Sequence, residues 1–217
     1  MPEKRFIPPR TRRSGVRDAR LIIIAAEGLN TEKKYFSDLR ATYLNPRIHL
    51  EILERLSSAS DPARVIRLLD SFRKKYKVQP GYDQLWLVID VDRWGEGKLA
   101  EIARLCQQKD YDLAVSNPCF EVWLLLHLKA PQEYSPAALA ELYENRKTGN
   151  RTRLDAELLS LLGTYNKSNL NTAPFLPNVA FAIARAKSLD THPEYRWPIT
   201  LGTRVYLLAE AITGGAA

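Results

Sequence analysis

Short β-like runs and longer helix-like runs alternate along the first 130 residues. Residues 21–26 (LIIIAA) form an apolar, β-branched-rich run with the length of one buried strand. Residues 31–43 then place Tyr35, Phe36, Leu39 and Tyr43 at helical spacing, with Asn30 or Thr31 as the cap and Asn45-Pro46 as the stop. Residues 48–53 alternate apolar with polar and predict a second strand. Asp61-Pro62 starts a helix that carries Val65, Ile66, Leu69 and Phe72 on one face and ends before Gln79-Pro80-Gly81. A third strand spans residues 84–89. A loop at Trp94-Gly95-Glu96-Gly97 leads to a helix over 98–109, with Leu99, Ile102, Ala103, Leu105 and Cys106 facing inward. Residues 111–115 predict a fourth strand. Ser116-Asn117-Pro118 breaks it, and residues 119–128 form a helix apolar over most of its circumference, hence buried.

Such alternation predicts βαβ units and a mostly parallel sheet. From Pro131 onward the strand signals vanish. Helices are expected over 135–144, 154–162, 177–189 and 200–212, joined by polar loops at 144–153 and 165–174. The expected architecture is therefore α/β: a mostly parallel four-stranded sheet flanked by helices, followed by an all-helical C-terminal extension. Its parts are a basic N-terminal arm (1–20), a sheet-bearing domain (21–130) and a helical subdomain (131–217).

Charge narrows the partners. The chain carries a net +7 with a pI near 9.4, and seven of its basic residues fall in the first twenty. A basic protein of ordinary globular composition points to an anionic partner, nucleic acid first. Cys106 and Cys119 lack CxxC spacing, so buried thiols in a reducing cytoplasm are expected rather than a zinc or redox site. No secretory h-region and no membrane-length apolar run is found, so a soluble cytoplasmic protein without a membrane partner is expected. Neither GxGxxG nor GxxxxGK[ST] occurs, which leaves a dinucleotide enzyme or an intrinsic ATPase unsupported.

The strands deliver acid to one sheet edge. Glu27 ends the first, and Asp90 and Asp92 end the third. In open parallel sheets, ligands bind at the C-terminal ends of the strands. Asp90 directly follows five apolar residues, and a buried carboxylate needs a cation or a basic partner. Glu27, Asp90 and Asp92 are thus candidate ligands for Mg²⁺ or Mn²⁺, with Glu27 alternatively a general acid or base. Ser116 to Glu121 (SNPCFE) follows the fourth strand to the same edge. Glu121 serves there as a further catalytic carboxylate or as a first-turn charge on the helix. His127 is read as a hydrogen-bonded core residue or one that supports the site from behind. Lys33, Arg93, Asn117, Arg146, Lys147, Arg151 and Lys167 are candidate nucleic-acid contacts, with Arg153, Trp94, Trp197 and the basic arm beside them.

Taken in order, Glu27-Gly28, Thr31-Glu32, Tyr35-Phe36, Asp90-Val91-Asp92, Ser116-Asn117-Pro118-Cys119-Phe120-Glu121, Trp123 and His127 resemble the RloB family, related to the AbiLii-type abortive-infection proteins. The resemblance runs from about residue 20 to the C-terminal helices. It implies a Toprim-like catalytic domain over 21–130. A strand-end glutamate (Glu27) and a strand-end DxD (Asp90, Asp92) would there form an Mg²⁺-dependent site for phosphodiester chemistry. It further implies a role in prokaryotic anti-phage defence beside an AAA or ABC-type ATPase. The leading expectation is a metal-dependent nuclease acting on DNA or RNA. The alternative is a nucleic-acid-binding or regulatory subunit of an ATPase-containing defence complex, without turnover of its own. Primase-like nucleotidyl transfer is a third and weaker reading.

Overall fold

Apolar side chains on alternating positions give the central sheet two buried faces. In the computed structural model, residues 19–28, 30–43, 48–53, 62–92 and 94–214 are described. Residues 1–18, 29, 44–47, 54–61, 93 and 215–217 lie outside them, and with these most of the expected basic arm and the candidate Arg93. Strand β1 (Arg20–Ala26) pairs in parallel with β2 (Ile48–Leu53) on one side and β3 (Gln84–Asp90) on the other. β3 pairs in parallel with β4 (Asp112–Asn117). Between them run α1 (Thr31–Thr42), α2 (Pro62–Lys75) and α3 (Glu96–Lys109), the helical crossovers that parallel strands require.

Period two sorts the core. Ile22, Ile24, Ala26, Trp86, Val88 and Ala114 pack against Tyr35, Phe36 and Leu39 of α1 and against α4 (Glu121–Leu128). Leu21, Ile23, Ala25, Leu85, Leu87 and Ile89 pack on the other face against Val65, Ile66 and Leu69 of α2 and Leu99, Ile102 and Cys106 of α3. The first cluster continues into α5 (Pro136–Glu144), α6 (Arg153–Leu162), α7 (Val179–Leu189) and α8 (Val205–Thr213), through Leu142, Leu154, Leu158, Val179, Ile183 and Leu208.

The mixed α/β architecture and mostly parallel sheet match the sequence reading, with two corrections. The sheet has five strands, ordered β2-β1-β3-β4-β7, because β7 (Gly202–Thr203) pairs antiparallel with β4. The region after Pro131 is therefore not all helical. Two residues carry no periodic signal, so residues 200–212 read as one helix, whereas α8 starts only at Val205. The polar 144–153 segment likewise holds a small hairpin, β5 (Lys147–Thr148) and β6 (Arg151–Thr152). Its turn uses Gly149 at φ +62°, a conformation that favours glycine. Asn30 sits at the start of α1 without a side-chain capping bond; the Thr31 hydroxyl instead donates to Lys167 O at 3.0 Å.

Candidate functional site

The parallel register brings the ends of β1, β3 and β4 to one edge, and Glu27, Glu32, Asp90, Asp92 and Glu121 collect there. Glu27 leaves β1 with its N–H still donating to Val88 O at 2.9 Å, so the ladder fixes its position. Its carboxylate is nearly fully buried. It accepts the Trp94 indole N–H at 3.0 Å and, at 3.5 Å, the backbone N–H of Asp90. Past β3, Val91 N–H donates to Ser116 O and Asp92 N–H to Pro118 O, which ties the Asp-Val-Asp turn to the loop after β4. A cleft of about 180 Å³ opens above these turns. Glu32, Asp90, Asp92, Glu121 and Lys167 line it, with Gly28 and Cys119 in its wall.

Asp90 is the centre of the arrangement. Its Oδ1 is buried and has no hydrogen-bond partner among the described residues. Burial raises its pKa well above the usual carboxylate range, and the charges of Glu32, Glu121, Asp92 and Glu27 push it further in the same direction. Desolvation and like charge thus act together on one side chain. Such a group demands a proton or a cation.

Glu32 enters the sequence reading through the family resemblance and not as a candidate site residue. As a first-turn acid on α1 it reads as a favourable charge at a helix N-terminus. The structure buries it instead, and burial, Glu121 and Glu27 raise its pKa to about 7. Backbone N–H groups of Glu32 itself and Gly28 oppose that rise. Gly28 explains why the carboxylate fits: a Cβ there would lie 1.8 Å from Glu32 Oε2. The signal was present in the sequence as a glycine four positions before a glutamate, but only packing reveals what it does.

Glu121 is buried at the first turn of α4 and does more than favour the helix. It accepts the Tyr165 hydroxyl at 3.3 Å and pairs with Lys167 Nζ at 3.1 Å. Lys167 also pairs with Asp155 at 3.1 Å, and these carboxylates hold its pKa above the usual lysine range. One lysine therefore faces a larger number of acids. As the side chains stand, no group of three His, Cys, Asp or Glu among the described residues has a geometry that would itself hold a metal ion.

The other sequence candidates scatter. Asn117 is buried and its amide donates to Pro198 O at 2.8 Å, which anchors the segment before β7. Lys33 is exposed on α1. Arg146, Lys147 and Arg151 are exposed at the β5–β6 hairpin, Arg146 with Glu144 at 3.0 Å. The hairpin stands close to the cleft, because Asn145 donates to Cys119 Sγ at 3.5 Å and accepts from Leu154 N–H at 2.9 Å. Trp94 serves Glu27, and Trp197 packs against the α2–α3 side of the sheet. His127 is a core residue: Nε2 meets the Tyr35 hydroxyl at 2.9 Å, Nδ1 meets Trp123 O at 2.8 Å, and burial lowers its pKa to about 3. Both cysteines are buried free thiols with raised pKa. No helix among the described residues is long and apolar enough to cross a membrane.

Comparison with known proteins gave one match. No curated protein and no solved structure matched the chain. The family model described as RloB-like protein matches residues 22–212, which spans every element of the site. The chain belongs to the RloB-like protein family.

Proposed function

We propose that the chain is a metal-dependent nuclease of Toprim type, which cleaves phosphodiester bonds of DNA or RNA as the effector of a prokaryotic anti-phage system. The observation that carries this reading is the orphaned, buried Oδ1 of Asp90 inside a ring of carboxylates. The donor set fits a hard divalent cation, since it is all oxygen and the like charges of Glu32, Glu121, Asp92 and Glu27 crowd Asp90. The parallel adjacency of β1 and β3, which brings Glu27 past the end of β1 to the same edge as Asp90 and Asp92 at the end of β3, supports the Toprim assignment.

Asp90 and Asp92 would hold Mg²⁺ or Mn²⁺, with Glu32 and Glu121 as further oxygen donors. When bound, such an ion polarises a phosphodiester and makes water a better nucleophile. Glu27 is held by the Trp94 indole and orients the Asp90 backbone from below the cleft. It is thus fixed in place to support the Asp-Val-Asp turn or to take a proton. Glu32, with a pKa near 7, is able to hold or release a proton at neutral pH. Lys167 stands at the cleft wall as the cation that can meet a phosphate oxygen once a metal relieves its pairing with Glu121. The hairpin cations Lys147 and Arg151 extend a positive surface beside it. An AAA or ABC-type ATPase is the proposed partner, on the strength of the family's genomic company alone.

The test is incubation of the purified chain with plasmid, single-stranded DNA and total RNA, in Mg²⁺, Mn²⁺ or EDTA, with and without the neighbouring ATPase. Asp90→Asn should fold normally and lose cleavage by about a thousandfold or more, the scale of removing an essential charge from a catalytic site. Equal cleavage by wild type and Asp90→Asn would refute the nuclease reading. Salt-sensitive binding without turnover in any metal would favour the alternative, a binding subunit.

A further inference from the structure

The chain's positive charge has a second concentration, far from the hairpin. Residues 62–77 carry six basic side chains against the single acid Asp70, a net +5 in a chain of net +7. Asp70 is already answered from α3: Lys109 Nζ lies 2.9 Å from it, and the Tyr111 hydroxyl donates to it at 2.8 Å. At about 100° per residue, Arg64, Arg67, Lys74 and Lys75 fall within one arc of α2, opposite the buried Val65, Ile66 and Leu69. All four are exposed.

A crevice of about 450 Å³ lies at the C-terminal end of this stripe, lined by Leu21, His49, Glu51, Tyr76, Lys77 and Gln79. The Tyr76 ring stacks on Phe72, with centroids 4.4 Å apart and planes at 29°, and remains 47% exposed. Lys75 Nζ sits 5.3 Å from the same ring. His49, Glu51 and Gln79 place hydrogen-bonding groups on the wall, and the volume falls in the range of small-ligand sites.

We infer that α2 and this crevice bind single-stranded nucleic acid, the stripe neutralising its phosphates and the crevice receiving an unpaired base against Tyr76. Cations in a row beside an exposed ring are the elements of a single-strand platform. A paired base in a duplex has no free face to offer the ring. A membrane is the poorer occupant, because the apolar face of α2 is spent in the core and leaves nothing to enter lipid. Parallel β2–α2–β3 connectivity makes α2 run antiparallel to the strands. The stripe therefore leads from the far edge of the sheet to the edge of the acidic cleft. The inference deepens the nuclease reading by naming its substrate class.

The test is fluorescence anisotropy of the full chain with a labelled single-stranded oligonucleotide and its duplex, in EDTA, over a salt series. Arg67→Ala/Lys74→Ala/Lys75→Ala should reduce the slope of log affinity against log salt by about 2 for the single strand. Tyr76→Ala should weaken single-strand binding about tenfold, with the slope and the duplex affinity unchanged. Wild-type affinity and slope in both variants would overturn the inference. So would equal losses for duplex and single strand in Tyr76→Ala, or binding to phosphatidylserine vesicles in place of oligonucleotide. The two readings fail separately. Variants that lose binding while the wild type never cleaves in Mg²⁺ would leave this surface standing and sink the nuclease. Cleavage by a wild type whose variants bind normally would do the reverse.

Discussion

Two clusters of charge are built on opposite rules. Around Arg204, just ahead of α8, each guanidinium nitrogen finds an acceptor. Its guanidinium donates twice to Asp190 at 3.0 Å, to His192 O at 3.0 Å and to Tyr195 O, while the Tyr206 hydroxyl completes Asp190. At the strand ends, by contrast, Glu27, Glu32, Asp90, Asp92 and Glu121 converge with Lys167 as the cation in the cleft wall, and Asp90 Oδ1 has no hydrogen-bond partner among the described residues. The first cluster pins the segment before β7 to the helices. The second leaves a buried carboxylate oxygen of Asp90 unbonded among the described residues while like charges crowd it. Completeness of pairing, rather than burial of charge, separates a structural cluster from a functional one.

The contrast can be broken first at its balanced half. Arg204→Ala strands Asp190 and two carbonyls, and should cost about 3–5 kcal/mol. In thermal melts that corresponds to a fall of about 10 °C or more in Tm. Asp90→Asn, at the unbalanced half, should raise the Tm of the metal-free chain by about a few degrees, since it replaces a buried carboxyl crowded by Glu32, Glu121, Asp92 and Glu27 with a neutral amide. A comparable loss in both variants would erase the distinction.

Glu32 gives a pH-dependent version. Its carboxyl titrates near 7 when folded and near the ordinary 4.5 when unfolded. Between those values the folded chain holds a proton that the unfolded chain has released, so stability falls as pH rises through that window. Glu32→Gln abolishes this cost. The Tm difference between Glu32→Gln and wild type should be near zero at pH 5 and grow to about a few degrees at pH 8, without metal. The opposite contribution of neutral His127 is common to both proteins and cancels. A difference independent of pH would contradict the placement of Glu32.

Gly28→Ala should have the smallest effect on stability and a clear one on the site. Its methyl group would meet the carboxylate end of the Glu32 side chain rather than backbone, so melting should shift by about 1 °C or less while Glu32 is displaced. Cleavage should fall with the fold preserved; unaltered cleavage would mean that the Glu32 position does not matter.

Much of this was legible in the sequence, for physical reasons. The buried strands β1 and β3 announce themselves as unbroken apolar runs, and α1, α2 and α3 by their periodic faces. The strand-end acids follow from parallel topology, which gathers strand ends to one edge. What stayed hidden depends on pairings between distant residues. β7 is two residues long and exists because β4 offers it an edge, with Ser116 and Thr203 hydroxyls 2.8 Å apart. Asn117, beside the acids in sequence, spends its amide on Pro198. Glu32 looks like a helix-start charge until Gly28 leaves room for it to fold inward.

The proposed nuclease depends on one divalent cation held in the acidic cleft through Asp90. Calorimetric titration of Mn²⁺ into the purified chain at pH 7.5 tests it most directly. The account predicts a saturable site in the wild type that disappears in Asp90→Asn. Identical Mn²⁺ isotherms for the two proteins, or none for the wild type, would contradict it.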